Sequence, residues 1–425
     1  MTTLAYAGLW IFVFSMPFES LVGVSGVAVI PRATGALALG LALLSVVISG
    51  RFRRWHAFHV IALLFWLWAA LGLFFANRME RLPYKFWTYA QLLLVLWMIW
   101  ELVPSKQRAL GLLTAYVFGA YVAVFGTIIA YRKEAGLLRR FTAGGSDPND
   151  LAMTLALALP MAWYLGITYR QPLLRWACRA YLPVGLVAIG LTGSRGGMLA
   201  SMIGLLIVPL SMTTLSPGRL VTAVAMLGIS GALAVAYIPD RIVERLATTG
   251  SEVEDFSFGG RFKLWVAGVE AFTQRPVIGY GTGGFKAAVT PKLGQMSQVA
   301  HNSYVSVLVE QGVVGFLLYA MMFVAVFLAA LNLPPPDRRF ALVLLATLAI
   351  AMLPLTWEDR KPVWFILAAL LALSRAQVAG PGEALRQTPL RPLVSTARPM
   401  AAPGSPPRPA SRSSAPPIRT PRRDA

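Results

Sequence analysis

Twelve apolar stretches follow one another along the chain: 3–19, 33–50, 56–76, 86–103, 109–131, 149–168, 180–193, 196–213, 219–238, 302–332, 340–357 and 361–374. Short polar or Pro/Gly-bearing links separate most of them. A hydrocarbon core about 30 Å thick is crossed by roughly 20 mostly apolar helical residues, so the pattern predicts an all-α chain, a polytopic membrane helical bundle of about 12 transmembrane helices. Stretches 180–193 and 361–374 are short, and 302–332 is longer than one crossing needs and is expected to tilt. One interval breaks the rhythm. Residues 239–301 form the only long polar interval between apolar stretches, and a connection of that length is uncommon unless it functions or is disordered. Within it, apolar residues at 262, 265, 266 and 269 recur at helical spacing, which predicts a short amphipathic helix over 261–273 lying at the membrane surface. The expected organisation is spans over 1–238, the polar loop over 239–301, further spans over 302–376, and a tail over 377–425.

Composition sharpens this picture. Hydrophobic residues make up 57% of the chain and charged residues 13%, against roughly 25% charged in a soluble domain. That places the chain in the membrane class. The formal charge of +20 points to acidic partners. Anionic membrane lipids and phosphorylated substrates both fit, and charge alone leaves nucleic acid open. A single cysteine, Cys178, gives no disulfide framework and no cysteine-based metal site. The N-terminus lacks a basic start and a small-residue cleavage pattern, so the first apolar run is read as a retained span.

Orientation rests on the short loops. With a cytoplasmic N-terminus, eleven Lys and Arg fall on the cytoplasmic side, Arg179 among them, and eleven on the other, Lys85 among them. The positive-inside count therefore ties. Acidic residues gather on the outer loops, and the basic tail falls inside, so both ends are read as cytoplasmic. The tail, rich in Pro, Ala, Ser and Arg, reads as disordered and attracted to anionic lipid.

The candidate chemistry lies in short polar islands. In Gly144-Gly-Ser-Asp-Pro-Asn-Asp150, Asn149 or Asp150 can cap the helix that follows, and capping alone explains the motif. Just before it, the adjacent guanidiniums of Arg139 and Arg140 can hold phosphate oxygens, although a solvated charge pair accounts for them equally. Leu191-Thr-Gly-Ser-Arg-Gly-Gly197 sets Arg195 in the first turn of a helix with Ser194 as its cap. A helix N-terminus beside a guanidinium is an anion site, and the competing reading is an arginine snorkelling to the interface. Arg261 repeats the arrangement after Gly259-Gly260. His301 precedes Asn302 and Ser303, which can cap a helix start. A positive dipole end disfavours imidazolium and leaves a neutral ring able to accept a proton, as a general base must be, and the competing reading is a structural histidine. No Asp-x-Asp, His-x-x-x-His, Cys-x-x-Cys, Gly-x-Ser-x-Gly or phosphate-loop spacing occurs, so the motifs call for no metal or cofactor.

Thr192-Gly-Ser-Arg-Gly-Gly197, Gly260-Arg261 with Trp265, the glycines of 279–284 before Phe285, and His301-Asn-Ser-Tyr304 with Glu310-Gln-Gly312 and Gly315 stand in an order that resembles the bacterial O-antigen ligase and polymerase superfamily. Asp147-Pro148-Asn149 is similar to a further element of it. The resemblance implies a glycosyltransferase of the bacterial inner membrane whose active site, carried by the 239–301 loop, faces the periplasm. It implies an undecaprenyl-pyrophosphate-linked glycan as donor, Arg195 and Arg261 holding the pyrophosphate, Arg139 and Arg140 as weaker candidates for the same task, and His301 as the catalytic base. Among members, an O-antigen ligase acting on a lipid A-core acceptor fits best, with a polymerase or a protein O-oligosaccharyltransferase as alternatives. No nucleic acid is implied. A transporter would place charges at mid-membrane with internal repeats, and neither is evident in the sequence.

Overall fold

The computed structural model describes residues 1–19, 29–75, 82–134, 140–212, 216–247, 261–296, 298–378 and 388–389. Among them sixteen α-helices run in the order α1 Thr2–Ser15, α2 Ile30–Ser49, α3 Ala57–Phe75, α4 Leu82–Leu102, α5 Lys106–Glu134, α6 Pro148–Thr168, α7 Pro172–Leu191 and α8 Arg195–Leu205. They continue as α9 Ile207–Met212, α10 Pro217–Tyr237, α11 Asp240–Ala247, α12 Arg261–Gln274, α13 Phe285–Leu293, α14 Ser303–Leu331, α15 Pro335–Ala351 and α16 Lys361–Val378. Among the described residues each predicted apolar stretch is largely helical, although 340–357 leaves the helix after Ala351. Six described helices, α2, α5, α6, α7, α10 and α14, are long and apolar enough to cross a membrane, and α1, α3 and the α8–α9 pair are apolar but shorter. The chain is a polytopic helical membrane protein.

The helices sort by what surrounds them. Every residue of α6 from Leu151 to Gly166 is buried, as expected of a helix apolar on all sides at the centre of a bundle. It packs on α5, α7, α8 and α15. By contrast, only 17% of the apolar window of α2 and 12% of that of α10 are buried, against 83% for α6. With no protein over most of their surface, α2 and α10 are the helices suited to face lipid.

The 239–301 interval is not a bare loop. Its α12 buries Leu264, Ala267, Gly268 and Ala271, and Ala267 and Ala271 join a small second core with Phe285, Val289, Ala300 and Val309. Phe262, Val266 and Val269 stay exposed. The apolar periodicity therefore marks the outward face of this helix, while the inward face adds the small residues Ala267, Gly268 and Ala271, which admit close packing. Residues 248–260, including Gly259-Gly260, lie outside the described residues.

Two charges used in the orientation count are not surface charges. Arg179 is buried with its Nε–H donating to the Gly166 carbonyl at 3.0 Å, and Lys85 is buried against two carboxylates. Removing one from each face leaves ten against ten, so the tie stands. Almost all of the predicted disordered tail lies outside the described residues. Its Thr388 and Pro389 pair antiparallel with Phe52 and Arg51.

Candidate functional site

One end of the bundle gathers the starts of α6, α8, α12, α14 and α16 with the link between α15 and α16. The first corner is built at α6. Asp147, not Asn149 or Asp150, is its N-cap: the carboxylate accepts from the backbone N–H of Asn149 at 2.8 Å and of Asp150 at 3.1 Å. Capping thus accounts for Asp147 and releases the other two side chains for longer-range contacts. Asn149 Oδ1 accepts from the Arg140 guanidinium at 2.9 Å and from the Ser194 hydroxyl at 3.0 Å. Arg140 Nε–H also donates to the Thr192 carbonyl at 2.7 Å. Arg140 is therefore braced against the turn that starts α8. Arg139 lies outside the described residues.

That turn is shaped by glycine. Gly193 has φ +58°, a left-handed conformation that only glycine adopts without cost. Ser194 then caps α8, its Oγ accepting from the Gly197 N–H at 3.2 Å, and Arg195 is the first helical residue. A Cβ on Gly196 would come within 2.8 Å of Pro354, so the glycine lets the start of α8 lie directly against the α15–α16 link.

The same link holds the second corner. His301 N–H donates to Thr356 Oγ1 at 2.9 Å, Ser303 Oγ donates to the Leu355 carbonyl at 2.8 Å, and the Trp357 N–H donates to Ser303 Oγ at 2.8 Å. Trp357 Nε1–H donates to Asp150 Oδ1 at 2.9 Å, tying this corner to α6. Asn302 caps α14, accepting from the N–H groups of Tyr304 and Val305. Trp265 Nε1–H donates to the Ala300 carbonyl at 2.9 Å, which brings the first turns of α12, and Arg261 with them, beside His301.

His301 is the only described non-glycine residue with positive φ, at +46°. Backbone held in that region by its surroundings clusters at functional sites. The ring is half-buried. Burial first, and the Arg261 guanidinium second, hold its pKa below the usual 6.5, while Asp147 pulls the other way. Both corners therefore act on one imidazole, which is kept neutral and so able to accept a proton.

A third cluster escaped the sequence reading. Lys85 Nζ donates to Glu310 at 2.8 Å and to Glu358 at 2.7 Å, all three buried. Glu358 also accepts from Ser306 Oγ at 2.9 Å, and Glu310 from the Gly283 N–H at 2.7 Å. Two residues on, Gly312 takes φ +65° and interrupts α14. The glycine turn after α12 docks into this break, with the Tyr280 N–H on the Val309 carbonyl, the Gly281 N–H on the Glu310 carbonyl at 2.7 Å and the Val313 N–H on the Pro276 carbonyl at 2.8 Å. A side chain on Gly312 would collide with Val277. The glycines of 279–284 and 312 are therefore an interlock that positions α12 against α14. A charged residue inside an otherwise apolar helix, Glu310, was the available signal, because such a residue requires a partner.

Residues 180–320 match the family model described as O-antigen ligase, and no curated protein matches the chain. The matched segment contains Arg195, Arg261, His301 and the glycine interlock. With its many-helix membrane fold, the match over this third of the chain supports a likeness to the O-antigen ligase superfamily.

Proposed function

We propose that the chain moves O-antigen glycan from undecaprenyl pyrophosphate to a sugar hydroxyl of lipid A-core at the periplasmic face of the inner membrane. The superfamily is one of lipid-linked glycan transferases, and this reading names donor, acceptor and chemistry within it. The observation that carries it is the convergence of Arg140, the start of α8 at Arg195 and the start of α12 at Arg261 on the end of the bundle that holds His301.

In this reading the acceptor hydroxyl oxygen forms a bond to the anomeric carbon as the bond from that carbon to the pyrophosphate oxygen breaks. His301 takes the hydroxyl proton. Arg195, Arg261 and Arg140 hold the diphosphate and stabilise the charge it gains on leaving, at helix starts whose dipoles favour anions. The displacement is single and inverting, with no covalent intermediate, and it calls on no metal. Positioning does much of the work, since pyrophosphate is already a competent leaving group.

The test is transfer by purified protein in detergent, given carrier-linked glycan and lipid A-core without nucleotide. Glycan is expected on lipid A-core, and His301→Ala is expected to lower the rate by about 100- to 10,000-fold with unchanged elution and thermal stability. Full activity of a folded His301→Ala protein removes the base assignment. Lengthening of the carrier-linked glycan in place of transfer to lipid A-core makes the chain a polymerase.

A further inference from the structure

A cavity of about 530 Å³ lies between α1, α2 and α4, within the size range of single-ligand sites. Along most of its length its walls are apolar, from Phe12, Gly35, Ala36, Leu39, Val95 and Met98. Its other end is charged, where Arg32, Arg360 and Lys361 face Glu19 and Asp359. An apolar trough with a charged rim that leads to an arginine corner suits a single-chain amphiphile with an anionic head. Only 17% of the apolar window of α2, which forms one wall, is buried, so the trough lies beside a helix open to the bilayer, where a chain can enter sideways.

Its polar end adjoins the arginine corner. Arg360 pairs with Asp150 at 3.4 Å. Asp150 follows Asn149, which braces both Arg140 and Ser194. Lys361, also at the rim, pairs with Glu19. From these placements we infer that the α1–α2–α4 trough holds the polyisoprenoid chain of the pyrophosphate carrier, with its diphosphate directed toward the Arg140–Ser194 corner. The inference rests on the donor class proposed above. Trough volume selects one chain over the several acyl chains of the acceptor, and the adjoining Arg140 guanidinium selects an anion.

The experiment measures retention of lipid, not transfer. Purified full-length protein in detergent is titrated with undecaprenyl diphosphate, geranyl diphosphate and inorganic pyrophosphate, with binding read by native mass spectrometry. Undecaprenyl diphosphate is expected to bind at least tenfold more tightly than geranyl diphosphate. Ala36→Trp, which fills the trough from an exposed position on α2, should remove that advantage and leave pyrophosphate binding unchanged. Gln91→Trp, from an exposed position on the facing α4, is the second variant should the first fail to fold.

Equal affinity for the long and short chains, or unaltered long-chain binding in both tryptophan variants, overturns the inference. So does equal displacement by phosphatidylglycerol, which would make the trough a general phospholipid site. Because binding is read directly, retention by His301→Ala with no transfer by the wild-type protein would reject the proposed reaction and leave the trough standing.

Discussion

The Lys85 cluster and the corner formed by Arg140, Ser194 and His301 sit at the same end of the bundle, and both unite residues far apart in sequence. They treat charge in opposite ways. In the first, one ammonium lies between two carboxylates, with side-chain exposures of 7%, 4% and 0%, so the charges answer one another and hold α4, α14 and the α15–α16 link together. In the second, two of the bonds that seat Arg140 end on neutral oxygens, and the field of Arg261 falls on an imidazole. Buried opposite charges fix a fold, whereas guanidiniums at helix starts stand where the helix dipole also favours an anion.

Breaking the first region should have the largest effect on stability. Lys85→Met strands two buried carboxylates, and removing one partner of a buried ion pair costs about 3–5 kcal/mol. Thermal unfolding in detergent should show a marked drop, partly restored by Glu310→Gln in the same chain. A Lys85→Met protein as stable as wild type would mean that the cluster does not hold these helices. Arg195→Ala acts on the second region and should do the reverse, lowering transfer by about 100- to 1000-fold while leaving the unfolding temperature alone.

A smaller effect separates the cap from the corner. Asp147→Ala removes the cap of α6 and should cost about 1 kcal/mol of stability. Asn149→Ala leaves the cap in place but unseats Arg140 and Ser194, so it should act on donor binding more than on unfolding. Comparing the two in a melt and a donor titration tests the division of labour.

The smallest effect is a pH shift. The pKa of His301 is held below 6.5, so a base acting in its neutral form loses activity as pH falls only once that lower value is passed. The acid limb of kcat/KM should therefore lie below that of an ordinary imidazole. Asp147 works to raise the pKa, so Asp147→Asn, which keeps a capping side chain, should move the limb further toward acid. A limb that stays fixed, or moves toward neutral, would show that His301 is not the titrating base.

Much of the second region was legible in the sequence. The cap of α8 by Ser194, Arg195 as its first residue, a helix starting at Arg261 and the cap of α14 by Asn302 follow from neighbours within three or four positions, and the structure forms each of them. The first region was not. Lys85 stands near the end of an apolar stretch and reads as an interfacial cation, because its partners are 225 and 273 residues away. Asp150 reads as a cap for a related reason, since nothing local tells an aspartate at the first turn whether Trp357 will reach it.

The sequence by itself determined where the helices run and how most of them begin, because hydropathy and capping are settled among adjacent residues. Only the tertiary structure decided which ionisable groups lose their water, which glycines serve as an interlock, and where a trough remains between α2 and α4. Those outcomes depend on what packs across the gap between distant elements, and burial of a charge is tolerated only where the opposing element supplies its partner.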